Sequence, residues 1–257
     1  MTDLVARIVP SLRQHHDQLA ATVDRLSDDQ LTGPSGAAEW TVADVLSHLG
    51  SGAEITRATI LASAEPGSEK PDNPAIWERW NAASPREQAE GFVAHDARLV
   101  EMLEGFSDEE RSSLRVDLGF LPEPVPLEVA AGMRLNEVAA HAWDVNVGLD
   151  GRATIDPDAA DLLLDLSAGP LGFMLGFTAK ADQLDQPAEV AVGDKAIVIG
   201  ESVTVAPAGS PTATFTGAPE AAVRLLSGRL APAYTPEGVE VTGNVTLDDL
   251  RRVFPGY

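Results

Sequence analysis

Apolar residues recur at steps of three and four near the start of the chain, and this period predicts a long first helix with one buried face. The residues of this stripe are Leu4, Ile8, Leu12, Leu19, Val23 and Leu26. Because proline lacks the N–H that a helix interior needs, Pro10 indicates that the helix begins just before it. We expect the helix to end near residues 27–29, and the Gly-Pro-Ser-Gly segment 33–36 to form a loop.

A second helix has a strong start signal. Thr41 can cap it, Asp44 occupies the third helical position, and Trp40 can pack on Val45 as a hydrophobic staple. The apolar pattern then continues through residues 42–62, which predicts a helix of about six turns.

Two further long helices are predicted in the first half of the chain. One covers about 85–104, and the other covers about 127–147 and closes at Gly148, because glycine often follows the last helical residue. Between them, residues 117–126 are rich in turn formers and should be extended. Four long helices joined by connecting segments are typical of a helix bundle.

The pattern changes after Gly151. Asp156, Pro157 and Asp158 begin another helix, and an apolar stretch follows from Leu162 to Phe177. Alternating segments then predict strands, which in order are AEVAV, KAIVI, SVTVA, TATFTG and, after a helix at 219–227, GVEVTG. Gly193 and Asp194 predict a hairpin turn, and a last helix covers 247–254. The expected fold is therefore two-domain α+β, with a four-helix bundle at 1–150 and a smaller α+β domain at 151–257.

Composition excludes several kinds of partner and site. The 257 residues carry 18 basic and 40 acidic side chains, a formal net charge of −22, which disfavours binding to nucleic acid or to an anionic membrane surface. No stretch approaches the ~18–20 uninterrupted apolar residues of a membrane span, and no export signal is visible. The absence of cysteine excludes disulfides and Cys-based zinc sites, and it suits a cytoplasmic location.

The five histidines are the main candidates for chemistry. Glu137 and His141 are four residues apart, so both side chains lie on one face of the fourth helix. His48 lies among apolar residues of the second helix, and two imidazoles with one carboxylate are the ligand set of an open, catalytic zinc site. Spacing alone also fits a surface ion pair and a hydrogen-bonded core histidine. We interpret His15, His16 and His95 as structural or solvated.

Two stretches, EWTVADVLSHLG and, about ninety residues later, NEVAAHAWDV, together resemble the mycothiol-dependent maleylpyruvate isomerase family within the wider DinB-like group. The segments GAPEAAVRLLSGR and VEVTGNVTLDDLRRVF resemble the C-terminal domain of that family. The resemblance implies a DinB-like bundle that binds one divalent metal, usually zinc, through His48, Glu137 and His141. It also implies that Arg229 is a catalytic and cofactor-binding residue. Asp144 fits either a second-layer partner of the metal site or an ordinary polar position, and Trp143 fits the core.

The activity implied by this resemblance is thiol chemistry with mycothiol, a sugar-linked cysteine thiol, as cosubstrate. A chain without cysteine needs such an external thiol, and a metal favours the thiolate form. The expected reaction is either cis–trans isomerisation of a small electrophilic acid or S-transfer to it. A catalytically silent metal- or ligand-binding protein and a metal-dependent hydrolase are the alternatives. The expected partners are these small molecules, with the chain as a monomer or homodimer.

Overall fold

The computed structural model describes residues 4–65 and 67–256. By its internal contacts the chain divides into two compact units between Asp150 and Gly151. Helices dominate the first unit, and a five-stranded mixed sheet with helices makes up the second, so the protein is α+β.

Seven helices and two short strands make up the described part of the first unit. They are α1 (Leu4–Val23), α2 (Asp28–Leu31), α3 (Val42–Ala64), α4 (Asn73–Ala82), α5 (Pro85–Gly105), α6 (Asp108–Ser113), β1 (Arg115–Val116), β2 (Val125–Pro126) and α7 (Leu127–Leu149). The four long helices α1, α3, α5 and α7 pack in a ring, in which α1 and α3 each contact both α5 and α7. Their apolar faces form the core of this unit.

Helix α1 includes Leu4 and runs through Pro10, so the prediction that it starts just before the proline is wrong. A proline in a helix interior costs about 3 kcal/mol through its missing N–H and its steric clash. The helix persists because its apolar stripe is buried on both sides of Pro10, at Val5, Ile8 and Leu12. It ends at Val23, earlier than predicted, and a turn at residues 24–25 follows. The helix cannot extend to 27–29 because Ser27 has an extended backbone and caps the separate short helix α2.

Helix α3 has the predicted start. The Thr41 hydroxyl accepts the backbone N–H of Asp44, and the Asp44 carboxylate accepts the backbone N–H of Thr41. The two residues satisfy each other's free backbone donors, and this fixes where α3 begins.

Helix α4 was absent from the sequence prediction. It is held by Trp80, whose ring is buried and occupies the space beside Gly50 and Gly91, where an added Cβ would overlap it. The indole N–H of Trp80 donates to Glu54 Oε2 at 2.9 Å. This short helix therefore depends on contacts with α3 and α5 that its local sequence does not reveal.

Helix α7 continues through Gly148 to Leu149, so the predicted stop at Gly148 is wrong. A Cβ at this position would overlap the backbone carbonyl of Pro34. Glycine is needed here because the loop 33–36 packs directly on the helix, and not because the helix ends.

The second unit contains four helices and five strands among the described residues. They are α8 (Pro157–Ser167), α9 (Leu175–Thr178), β3 (Ala188–Val192), β4 (Lys195–Ile199), β5 (Val203–Pro207), β6 (Ala213–Thr216), α10 (Pro219–Leu226), β7 (Glu240–Gly243) and α11 (Leu247–Val253). The predicted strands and the hairpin turn at Gly193, which has a φ of 61°, are confirmed. The strand order is β5-β4-β3-β6-β7, in which β3 and β6 pair in parallel.

The sheet of the second unit has one buried face. Residues of β3 alternate between buried and half-buried, with Val190 directly opposite Ile197 and Ala213 in the neighbouring strands.

Among the described residues, no single helix is both long and apolar enough to cross a membrane. The two segments Pro157–Ser167 and Gly172–Thr178, which are bent by 79° relative to each other, reach that length and apolar composition only when taken together.

Candidate metal centre

His48, Glu137 and His141 lie together where α3 packs against α7. His48 Nε2 is 3.0 Å and His141 Nε2 is 3.6 Å from the same carboxylate oxygen, Glu137 Oε2. The rings of the two histidines meet edge to face, with 4.7 Å between their centroids. The structure thus brings together the three side chains that the sequence selected, although His48 and Glu137 are 89 residues apart in the chain.

Two local features place these side chains. Glu137 and His141 are one helical turn apart on α7, so they project from the same face. The capped start of α3 fixes the position of His48 in the second turn of that helix. The centre is accessible from one side, since His48 is 41% exposed while His141 is 6% exposed.

The Glu137 carboxylate is held in its ionised form. Burial alone would raise the pKa of Glu137, but hydrogen bonds and charge interactions with His141 and His48 outweigh it and place the pKa well below its ordinary range. An ionised carboxylate between two imidazoles suits a cation by charge as well as by geometry.

Asp144 orients His141 from the side opposite to Glu137. Its fully buried Oδ2 lies 2.8 Å from His141 Nδ1, so it accepts the ring N–H and leaves Nε2 directed at Glu137. A carboxylate behind a ligating histidine is a common second layer of zinc sites. The contact with His141 shows that Asp144 is more than an ordinary polar position.

The loop before α3 closes over the centre. The backbone N–H of Gly36 donates to the backbone carbonyl of Asp144 at 2.8 Å, and a Cβ on Gly36 would overlap the side chains of Trp143 and Val147. Trp143 is buried in the core, as expected. The loop then places Trp40 against both histidines, with its ring stacked on His141 at 6.0 Å and tilted against His48 at 5.3 Å.

The sequence interpretation missed this position of Trp40. It assigned the ring to Val45 as a hydrophobic staple, because the residue before an N-cap often serves that purpose. Trp40 lies before the start of α3, so helical spacing could not predict that its ring contacts His48.

The three donors fit a divalent metal. Ligand atoms bound to a tetrahedral zinc at ~2.0–2.1 Å are about 3.3 Å apart, and the two distances to Glu137 Oε2 lie on either side of that value. All three ligand atoms are within 4.8 Å of one another. Two imidazole nitrogens and one carboxylate oxygen are a catalytic zinc set, in which a fourth position stays open for a small molecule.

Arg229 belongs to the second unit and follows α10. The backbone N–H groups of Gly228 and Arg229 donate to the carbonyls of Leu225 and Arg224, which closes the helix with a left-handed glycine of φ 73°. The Arg229 side chain is buried and donates from Nη1 to the Ser227 carbonyl at 3.0 Å. Its expected role in catalysis stays a prediction.

The other three histidines lie elsewhere in the first unit. His16 is buried and pairs with Asp96, while His95 is half-buried beside Glu54. His15 is also buried, and its Nδ1 lies 2.8 Å from the Ser11 carbonyl. These contacts fit a structural role, which is one of the two interpretations that the sequence left open for these histidines.

Comparison with known proteins places the chain in a family. Residues 12–146, just over half of its length, match the family model of the mycothiol maleylpyruvate isomerase N-terminal domain. The chain belongs to this family. The matched range includes His48, Glu137 and His141, whereas Arg229 lies outside it.

Two relatives of this chain are uncharacterized proteins of Mycobacterium tuberculosis, Rv0738 and MT0763. Each is 28% identical over 144 residues, which are 56% of this chain and 68% of the relative.

Two solved structures share the fold: mycothiol-dependent maleylpyruvate isomerase, and a histidine-to-alanine mutant of it. Both have a TM-score of 0.64 and cover 94% of each chain, at 17% and 16% identity. The family match and this fold likeness confirm the resemblance noted in the sequence.

Proposed function

We propose that the protein is a metal-dependent enzyme that uses mycothiol, or a similar small thiol, as cosubstrate in the isomerisation of a small electrophilic acid or in S-transfer to it. The observation that carries the proposal is the convergence of His48 and His141 on one carboxylate oxygen of Glu137. Family membership supports the choice of thiol, because the family is named for mycothiol. We further propose that the first unit is a DinB-like four-helix bundle, that the two units are separate domains, and that the protein acts in the cytoplasm.

The residues of the centre have distinct tasks. His48, Glu137 and His141 would hold the ion, which we propose is zinc, and Asp144 would keep the His141 ring in its ligating orientation. When bound, such a metal lowers the pKa of a thiol that shares it, and so supplies the nucleophile at neutral pH. The exposed edge of His48 leaves the cosubstrate a path to the centre.

The proposed chemistry is balanced without an oxidant or reductant. The sulfur adds to a double bond conjugated to a carbonyl group, which forms a carbon–sulfur bond and moves the electron pair onto the carbonyl oxygen as an enolate. Rotation about the new single bond followed by loss of the thiolate gives the isomer. Protonation of the enolate carbon instead leaves the sulfur on the product. We propose that Arg229 stabilises the enolate or a substrate carboxylate by its charge.

A thiol-dependent activity panel tests this function. Protein reconstituted with zinc is incubated with a maleyl-type acid or a halogenated dinitrobenzene, with and without mycothiol. With protein, zinc and thiol together, the proposal expects the acid to isomerise or add the thiol, and the dinitrobenzene to exchange its halide for the sulfur, faster than in the same mixture without protein. Omitting either zinc or thiol should abolish this enzymatic rate. Turnover without any thiol would indicate a hydrolase, and binding of metal and thiol without product across the panel would indicate a silent binding protein.

A further inference from the structure

A pocket of about 470 Å³ opens beside His48 within the first unit. We call it the tryptophan pocket, after Trp40 on the loop and Trp77 on α4, whose indole rings line it. Its volume lies within the ~300–1,000 Å³ of small-molecule sites. The pocket lies on the exposed side of His48, next to the candidate metal centre.

One wall of the pocket is a single face of α3. Asp44, Ser47, His48 and Ser51 line it, and their spacing of three and four residues places them on adjacent turns of the same face. His48 therefore belongs both to the candidate metal centre and to this wall.

The opposite wall of the pocket is α4, and Trp80, on the side of α4 that faces the core, fixes the orientation of this helix. Trp80 is buried between α3 and α5, so α4 has little freedom to rotate. Trp77 and Asn81, which are four residues apart, then project together into the pocket. Trp77 is 49% exposed, so its ring face is open to a molecule in the pocket.

Trp40 connects the pocket to the metal centre. Its ring lines the pocket and also lies against His48 and His141. The preceding residue, Glu39, has a φ of 65°, which is the one positive φ of a non-glycine residue in the described ranges. Such strain persists where the surrounding structure requires it, often at ligand sites.

The chemistry of the lining selects a neutral, hydroxyl-rich group. Glu39, Asp44 and Asn81 offer oxygen acceptors, while the described lining contains no lysine or arginine. Two carboxylates disfavour an anionic ligand, so the acid substrate does not fit here. Tryptophan rings provide flat apolar faces for the carbon–hydrogen faces of a sugar ring.

We propose that the tryptophan pocket binds the sugar part of the thiol cosubstrate, while the cysteine end faces His48. This inference rests on the proposed function, since it takes mycothiol as the cosubstrate. It assigns Trp77 and Asn81 as residues that determine which thiol is used.

The test separates the sugar from the sulfur. S-methylmycothiol carries the sugar but no thiol, and N-acetylcysteine carries a thiol but no sugar. Affinity for S-methylmycothiol is measured by calorimetry with the wild type, Trp77→Ala, Asn81→Ala and a control, Phe120→Ala. Phe120 is an exposed aromatic residue outside the pocket lining.

We expect Trp77→Ala to weaken S-methylmycothiol about tenfold and Asn81→Ala to weaken it several-fold, because a stacking face or a hydrogen bond is lost. Phe120→Ala should bind like the wild type. With zinc present, Trp77→Ala should raise the KM for mycothiol about tenfold and leave the KM for N-acetylcysteine unchanged. If Trp77→Ala fails to fold by circular dichroism, Asn81→Ala decides the result.

Three results would overturn the inference. The first is that S-methylmycothiol does not bind to the wild type. The second is that the pocket variants and the Phe120→Ala control bind S-methylmycothiol with equal affinity. The third is that Trp77→Ala raises the KM for the electrophile and not the KM for mycothiol. The last two can occur while mycothiol-dependent turnover persists, so that the proposed function stands. Tight, Trp77-dependent binding of S-methylmycothiol without turnover would support the pocket and contradict the enzyme.

Discussion

Replacement of Asp144 tests whether the carboxylate behind His141 tunes a metal site. Asp144 Oδ2 is fully buried and 2.8 Å from His141 Nδ1. A hydrogen bond to a charged acceptor contributes about 1.5–3 kcal/mol, against about 0.5–1.5 kcal/mol for a neutral one. Asp144→Asn keeps an acceptor oxygen and removes the charge, so it should weaken zinc affinity by about 1–1.5 kcal/mol, or about 5- to 13-fold in Kd.

Asp144→Ala should have a larger effect, because it also removes the acceptor. We expect a loss of about 10- to 100-fold in zinc affinity, the usual range for such outer partners. The buried ring N–H would then lack this partner, and the free energy of unfolding should fall by about 1–3 kcal/mol.

Competition with a chromogenic zinc chelator measures both affinities. Asp117→Asn is the control, because it removes the same charge from a half-exposed residue that pairs with Lys70 away from the centre. Equal zinc affinity in the wild type, Asp144→Asn and Asp144→Ala would refute the idea that Asp144 acts through His141. A loss of stability without a loss of zinc affinity would show a purely structural residue.

Three further changes test packing, electrostatics and the second unit. Gly148→Ala should lower Tm by several degrees, because the added Cβ overlaps the Pro34 carbonyl. Gly105→Ala is the control and should leave Tm unchanged, because Gly105 faces open space at the end of α5. Equal Tm values for the two variants would contradict this. Burial would raise the pKa of Asp96, but Arg134 and His16 outweigh it and lower the pKa below its ordinary value. The ionised Asp96 therefore stabilises the folded protein fully above about pH 4, the unfolded pKa. This stabilisation is lost as the pH falls through the lower folded pKa. Asp96→Asn should therefore lower the free energy of unfolding by about 3–5 kcal/mol at neutral pH, measured by urea titration. The difference from the wild type should shrink in acid, and a difference that stays constant would refute this. Arg229→Ala should reduce kcat/KM and leave metal content unchanged, and unaltered kinetics would remove Arg229 from the reaction.

Most of the predicted helices and strands follow from patterns among residues that are close together in the sequence. The capping pair Thr41 and Asp44 gives the start of α3, and Gly193 gives the hairpin between β3 and β4. These features depend on residues a few positions apart, so sequence alone reveals them. Gly148 misled the prediction of the end of α7, because glycine serves equally as a helix stop and as space for a neighbouring backbone.

Features that depend on distant packing could not be predicted. Helix α4 is held by Trp80 beside Gly50 and Gly91, and the Trp40 ring reaches His141 only through the folded loop. The pairing of Glu137 with His141 follows from helical spacing, but the approach of His48 requires the packing of α3 on α7. The family resemblance, and not spacing, decided among the alternatives for the three residues.

Metal content measured by inductively coupled plasma mass spectrometry tests the central claim most directly. After reconstitution with zinc and removal of loosely bound ions, we expect about one zinc per wild-type chain and little in His48→Ala or His141→Ala, with all three proteins folded. His95→Ala is the matched control, since His95 also pairs with a carboxylate, Glu54, on a facing helix, and it should keep the metal. No zinc in the wild type, or full zinc in both His48→Ala and His141→Ala, would contradict the account.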